Sequence, residues 1–382
     1  MLHQNNTTKT MKTIYAYFLC ILGVVSISIY SCDDNNEPTG DDIAIDWDTV
    51  STVNPAYQLE QPSNLPPIPV SDSNPLTTEG VELGRRLFYD PILSANNTQS
   101  CASCHAQQFG FTDNLRQFSI GIDGIAGNRN AMAIINLPYV TPLFWDGRSA
   151  SLEDQALQPI TNPIEMHNTW EKAVDDLMKS VDYRVRFYKA FGSKQITKEL
   201  VARAIAQFER TLISGKSKYD LAITPGSGVF LTDQEYLGYT LFINEEGDCF
   251  HCHTPGSNLF SDNKFHNNGL DTVSNVNDYA DKGLGDITKN PEDNGYFRTT
   301  TLRNIELTAP YMHDGRFQTL EQVVDHYSEH VKQAPNVDPT IKVFFKNGGK
   351  HLSPENKQAL VAFLKTLTDT SFVNNPAFKT PF

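Results

Sequence analysis

The sequence predicts a mainly α chain in which one structural unit is used twice, and three observations carry that prediction. The pentapeptide Cys-x-x-Cys-His occurs at CASCH (Cys101, Cys104, His105) and again at CFHCH (Cys249, Cys252, His253). AIAQFERTL (Ala204 to Leu212) matches ALVAFLKTL (Ala359 to Leu367), with apolar residues at the three- and four-residue spacing of a core-facing helix. WDGRSASLEDQALQP, from Trp145, matches HDGRFQTLEQVVDHY, from His313, at a constant offset of 168.

The 382 residues are enough for two domains of ordinary size, and 39% hydrophobic with 20% charged residues suits a packed core. A net charge of −14 excludes a nucleic-acid binder, which needs basic residues to neutralise phosphates. Residues 1–32 form a targeting segment. From Met11 there is one lysine, then a mostly apolar run from Ile14 to Tyr30 of signal-peptide character. That run is at the short limit for a membrane span, so a transmembrane anchor is the alternative. Its end, Ile29-Tyr30-Ser31-Cys32, resembles a bacterial lipoprotein signal. The mature chain would then begin at a lipid-carrying Cys32, and the protein would be exported to the periplasm and touch a membrane only through that anchor. Residues 33–75, opening DDNNEPTGDD, read as a polar tether and N-terminal extension.

Residues 76–222 make the first unit. A helix start at Thr78-Glu79 leads into LGRRLF (Leu83 to Phe88), then the first Cys-x-x-Cys-His, a long irregular middle and the closing helix. PGSG, Pro225 to Gly228, is the natural linker. Residues 229–370 repeat the order. Thr232 and Glu235 form a capping box ahead of LGYTLF (Leu237 to Phe242), the second pentapeptide and a closing helix follow, and 371–382 is a tail.

Six cysteines are present. Cys20 lies in the targeting segment and Cys32 is the lipid candidate, so the other four all belong to the two pentapeptides. An exported protein could pair four cysteines as disulfides, and zinc could gather them in one cluster. Neither reading accounts for the histidine that follows each pair. The pattern is that of c-type haem attachment. The thiols add across the two vinyl groups, and the adjacent histidine, His105 or His253, ligates the iron. The prediction is therefore two cytochrome c-like domains, each with one covalently bound c-type haem.

The differences inside the 168-residue match concern the open side of each iron. Trp145 corresponds to His313, Gln155 to Val323 and Pro159 to Tyr327. Proline has no side-chain donor, whereas tyrosine can ligate iron. The first haem is expected to be open and the second closed. Glu165 follows in ITNPIEMH as an acid-base candidate, able to move a proton between the two oxygens of a bound peroxide. Near an apolar haem face its pKa should rise. Gln155 could orient the peroxide. Met312, His313 and His326 are rivals for the second iron. His251 and His266 read as surface or packing residues. Arg303, in TLRN, is a candidate for a haem propionate, with Arg129 a weaker one.

The chain resembles the bacterial di-haem cytochrome c peroxidase and MauG family from about Thr77 to Thr368. CASCH, GNRNA, FWDGR, SLEDQALQPITNPIEM, CFHCH, TLRNIELTAPYMHDGRF and TLEQVVDHY carry the resemblance. The resemblance implies that Trp145 lies between the haems and supports electron transfer. It implies that Gln155, Pro159 and Glu165 line the distal pocket of the peroxidatic haem. It implies a calcium site at Asn130 and the carbonyls of Thr308 and Pro310, oxygen ligands that suit a hard cation. It puts Tyr327 at the second axial position of the C-terminal haem, with Met312 the alternative. The substrate implied is hydrogen peroxide, the donor a small redox protein such as a mono-haem cytochrome c or cupredoxin, and a homodimer is allowed.

Two departures stand out. The standard peroxidases carry a histidine on a mobile loop after the first haem motif, which caps the first iron until the other haem is reduced. Here no histidine occurs between His105 and His167, and Ile122 stands in SIGIDG where that residue tends to fall. Reductive activation of that type is not expected. The second departure is Tyr327 in place of methionine. That is the MauG-type pattern, in which both oxidising equivalents are held across two haems and a protein partner or small molecule can be oxidised. A non-enzymatic electron carrier would need both irons capped, and Pro159 argues against it.

Overall fold

The computed structural model describes residues 45–382 apart from Asn114 and Lys346. The targeting segment, Cys32 and tether residues 33–44 lie outside the described residues. No helix among the described residues is long and apolar enough to cross a membrane.

The chain is predominantly helical. The N-terminal half runs α1 (Thr78–Tyr89), the one-turn α2 (Cys101–Cys104), α3 (Leu152–Thr161), α4 (Trp170–Lys179), α5 (Val181–Phe191), α6 (Lys198–Glu209) and α7 (Lys218–Ile223). The C-terminal half runs α8 (Asp233–Phe242), α9 (Gly285–Thr288), α10 (Leu320–Asp325), α11 (Pro339–Phe345), α12 (Pro354–Lys365) and α13 (Thr370–Val373). Two short strands, β1 (Phe265–His266) and β2 (Phe297–Arg298), pair antiparallel.

Each half is organised by one helix crossing. Thr77 caps α1 and Thr197 caps α6, each hydroxyl accepting from a backbone N–H of the first turn. The predicted capping box of α8 forms, with Thr232 and Glu235 each accepting from the other's backbone N–H. Gly84 of α1 meets α6 so closely that a Cβ would lie 1.8 Å from the Ala204 carbonyl oxygen. Gly238 of α8 meets α12 the same way, 1.9 Å from the Ala359 oxygen. The repeated Leu-Gly window is thus a contact between backbones, and it buries Leu83, Leu87 and Phe88 in one half, Leu241 and Phe242 in the other. Gly238→Val should force α8 and α12 apart. It is expected to cost about 3 kcal/mol in thermal unfolding of the holoprotein, the upper range for overpacking.

The 168-residue offset extends through the backbone. Asn136 and Asn304 are both left-handed (φ 56° and 59°), as are Phe144 and Met312 (65° and 74°). The bridge Leu143–Ser149 recurs as Tyr311–Phe317. The related asparagines meet at one residue between the halves. Asn136 Nδ2 donates to the Ser214 carbonyl (3.0 Å), and Asn304 Nδ2 to the Ser214 hydroxyl (2.9 Å).

The flanking segments are structural. Residues 371–382, expected as a tail, pack on the N-terminal half. Phe372 and Phe378 join Phe88 and Phe111 in one core, and Tyr89 Oη donates to the Phe378 carbonyl at 2.6 Å. In the N-terminal extension, Asn64 Nδ2 donates to Asp220 and Asn54 Nδ2 to the Ala190 carbonyl.

Candidate active site

Both Cys-x-x-Cys-His loops present the same local chemistry. The four cysteines are unpaired. Ser100 precedes α2 and exchanges capping hydrogen bonds with Ser103, which holds Cys101 and Cys104 on a single helical turn. His105 Nδ1 donates to the Phe111 carbonyl at 2.8 Å, and His253 Nδ1 to the Phe260 carbonyl at 3.0 Å. That bond fixes the tautomer and leaves Nε2 as the lone-pair nitrogen, the arrangement a metal-bound imidazole needs. Burial lowers the pKa of both histidines, which favours the neutral form that a ligand needs. The residues therefore fit haem c in both halves.

The second site lies on a cavity whose wall includes Cys249, Cys252, His253, Tyr327 and Met312. Tyr327 sits on a π turn, His326–His330, that continues α10. Asn268 Nδ2 donates both to Tyr327 Oη (3.1 Å) and to Met312 Sδ (3.4 Å), so the two rival ligands share one wall. His326 turns away. Its Nε2 bonds the Asn268 carbonyl at 3.1 Å, and burial drives its pKa down to about 4. His313 lines the cavity but stacks on Phe297, with ring centroids 3.6 Å apart.

Trp145, Asn130, Thr308 and Pro310 line the same cavity. Trp145 Nε1 donates to the Asn130 carbonyl (2.9 Å), and Asn130 N–H donates to the His313 carbonyl (2.7 Å). This chain ties the repeat-related Trp145 and His313 across the two halves. The Asn130 amide nitrogen donates to the carbonyls of Arg116 and Gln117, which leaves its oxygen as the available cation ligand.

At the first site α3 carries Gln155 and Pro159 one turn apart, hence on one face. The chain then folds back. Met166 N–H donates to the Pro159 carbonyl (3.3 Å) and Asn168 N–H to the Ile160 carbonyl (2.9 Å), which returns Glu165 to the end of α3. Asn162 Nδ2 donates to Glu165 Oε1 at 2.6 Å. Burial raises the Glu165 pKa against that hydrogen bond and the pull of Arg148. Gln99 Nε2 donates to Cys104 Sγ (3.2 Å) and to the Ile120 carbonyl (3.1 Å), so the segment that bonds the Glu165 backbone is tied to the first attachment loop.

The segment around Ile122 forms a strap over Glu165. Ile122 N–H donates to the Glu165 carbonyl at 2.9 Å, and Asp123 pairs with His167 at 2.5 Å. A Cβ on Gly121 would lie 2.2 Å from the Ile164 carbonyl oxygen. The place expected to lack a capping histidine holds the acid-base candidate by its backbone.

Two expectations are corrected. Arg303 is not on the cavity wall. It is 1% exposed and forms a two-point ion pair with Asp220 (2.7 and 2.8 Å), while its Nε donates to the Asn258 carbonyl. A guanidinium so committed is a strut between α7 and the loop before α10 (Arg129, the weaker candidate, is likewise held by Asp146 and Asp281). His266 is neither a surface nor a simple packing residue. It lines the cavity between Asp338 (2.6 Å) and Asp262 (3.0 Å), and against the opposing effect of burial their hydrogen bonds raise its pKa.

Arg298 is the residue that sequence reasoning missed. It is 6% exposed and lines the cavity, and among the described residues its side chain donates to the Phe144 carbonyl and Met132 Sδ. Burial pulls its pKa down to about 10, the mark of a cation short of counter-charge. The repeat could have shown it, because Arg298 stands 168 residues after Asn130.

Comparison with known proteins agrees with this geometry. A family profile described as di-haem cytochrome c peroxidase matches residues 78–226. Cytochrome c551 peroxidase of Nitrosomonas europaea is 37% identical over 320 residues, 84% of this chain and 87% of that protein. Methylamine utilization protein MauG of Methylorubrum extorquens is 35% identical over 304 residues, 78% of this chain and 81% of that protein. The crystal structure of a MauG-like protein associated with microbial copper homeostasis superposes with a TM-score of 0.76 at 38% identity, covering 85% of this chain and 99% of that one. With its paired attachment loops and these relatives, the chain belongs to the di-haem cytochrome c peroxidase family, which groups haem-dependent oxidoreductases with the MauG proteins.

Proposed function

We propose that the protein reduces hydrogen peroxide to water with electrons from a small redox protein, and that peroxide binds at the first haem on the face of Pro159 and Glu165. The observation that carries this reading is the fold-back that sets Glu165 beside Pro159, a residue with no donor to close the iron. Haem c supplies an iron with one coordination place for peroxide and the electrons for breaking its O–O bond. The protein supplies the rest. Asn162 occupies Glu165 Oε1, so Oε2 is the atom that takes a proton from the near oxygen of peroxide and returns it to the departing one. Gln155, one turn before Pro159, orients the peroxide. The raised pKa of Glu165 favours proton return to the departing oxygen.

Trp145 serves electron transfer between the halves, supported by its place on the cavity wall and its bond to Asn130. Arg298 would hold a propionate of the second haem, and Tyr327 would be the further protein ligand of its iron, as both line the cavity of Cys249, Cys252 and His253. Calcium sits at Asn130, Thr308 and Pro310. The protein is exported to the periplasm and carries a lipid at Cys32. Tyr327 also favours a second reading, MauG-type oxidation of a protein or small molecule. Turnover of a reduced small cytochrome or cupredoxin with peroxide separates the two, because only the first reading requires it.

Electron paramagnetic resonance of the fully oxidised holoprotein tests the open site. One high-spin and one low-spin ferric signal are expected. Two low-spin signals would mean that the first iron is capped, and the proposal would fall.

A further inference from the structure

We propose that Glu209 is a redox-linked proton site of the first haem: its carboxylate takes up one proton from solvent when that haem gains one electron. Helices α6 and α12 are equivalent by their glycine contacts, since Gly84 meets Ala204 and Phe208 as Gly238 meets Ala359 and Phe363. The offset of 155 carries Glu209 onto Leu364. Leu364 lines the cavity of the second haem. Glu209 therefore puts a carboxyl where the other half puts an apolar wall. Independently, Phe208 and Leu212, which flank it in the chain, belong to the core against which Cys101 packs.

Glu209 is 4% exposed, and its Oε2 is buried without a hydrogen-bond partner among the described residues. Arg210, next along its own helix, is engaged by Glu153 of α3 at 2.6 and 2.9 Å. Glu153 itself repels the Glu209 charge. From α2 comes Cys101, which carries no charge once it is a thioether. Burial is the larger influence and pushes the Glu209 pKa up to about 8. A buried carboxyl oxygen without a hydrogen-bond partner makes the charged form costly, so the group follows any nearby change of charge.

The balance is simple. One electron arrives from the donor protein, one hydrated proton arrives from water, and an O–H bond forms on Glu209. No bond in the protein breaks. Between the pKa of Glu209 with the haem oxidised and the higher pKa with it reduced, the reduction constant falls tenfold per pH unit, which is about 59 mV for one electron.

The inference rests on haem attachment at Cys101, Cys104 and His105, and it is independent of peroxide turnover. The test is a spectroelectrochemical titration of both haems in the holoprotein from pH 6 to 9.5. The first haem should show the pH-dependent stretch and the second should not share it. E209Q should flatten the first haem and leave the second unchanged. E153Q removes a neighbouring negative charge and frees Arg210, so it should move the stretch to lower pH. E165Q should retain it. A first-haem potential independent of pH, or a dependence that survives E209Q or vanishes in E165Q, would overturn the proposal. If E209Q fails to fold, the direction of the E153Q shift decides. Loss of peroxide turnover in any variant bears on Glu165 and leaves this inference untouched.

Discussion

Glu165→Gln is expected to lower kcat for peroxide by about 10²–10⁴-fold, the usual worth of a positioned acid-base group. The substitution keeps the shape and the Asn162 hydrogen bond, because an amide oxygen accepts as Oε1 does. It removes the atom that can hold a proton. Both haems should remain attached, and the high-spin signal should persist. The pH profile follows from the same group. Burial raises the Glu165 pKa, and the form that accepts a proton exists only above it. Turnover by the native enzyme should therefore fall as pH drops through that raised value, and the Gln variant should lose the acid limb. Equal turnover in both proteins would remove Glu165 from the chemistry.

Asp220→Ala carries the largest expected effect on stability. It leaves the Arg303 guanidinium buried and charged without its partner, at a cost of about 3–5 kcal/mol. Asp220 also accepts from Asn64 and from Ser217, so the N-terminal extension and the start of α7 loosen with it. Replacing both members, Asp220→Leu with Arg303→Met, should recover much of the loss, because no buried charge remains unpaired. Urea unfolding of the holoprotein measures both. If the single variant were as stable as the native protein, the pair would not be the strut that the geometry implies.

The features legible in the sequence share a scale. Cys101, Cys104 and His105 are readable because they act together within one helical turn, and the same spacing returns at Cys249, Cys252 and His253. The two-helix frame is readable because a 3.6-residue period marks a buried face, and because glycine at the same place in both halves marks a close approach. Glu165 follows Pro159 by six residues, which allows only a short return of the chain.

Arg303 shows where one-dimensional reasoning ends. A guanidinium in a repeated motif suits a propionate, but its partner Asp220 lies 83 residues away in sequence. Nothing local distinguishes an arginine with a partner from one without. Arg298 and Glu209 present the same difficulty with opposite charge. Each is defined by what does not surround it, and only packing reveals that. His266 is bonded by Asp262, four residues away, and by Asp338, 72 positions away, and only the fold reveals the second.

Attachment chemistry, duplication and helix pairing follow from residue spacing, because covalent reach and helical period operate over a few residues. The identity of the charged partners follows from the fold, because Coulomb energy and desolvation depend on distance in space and on the water that packing excludes.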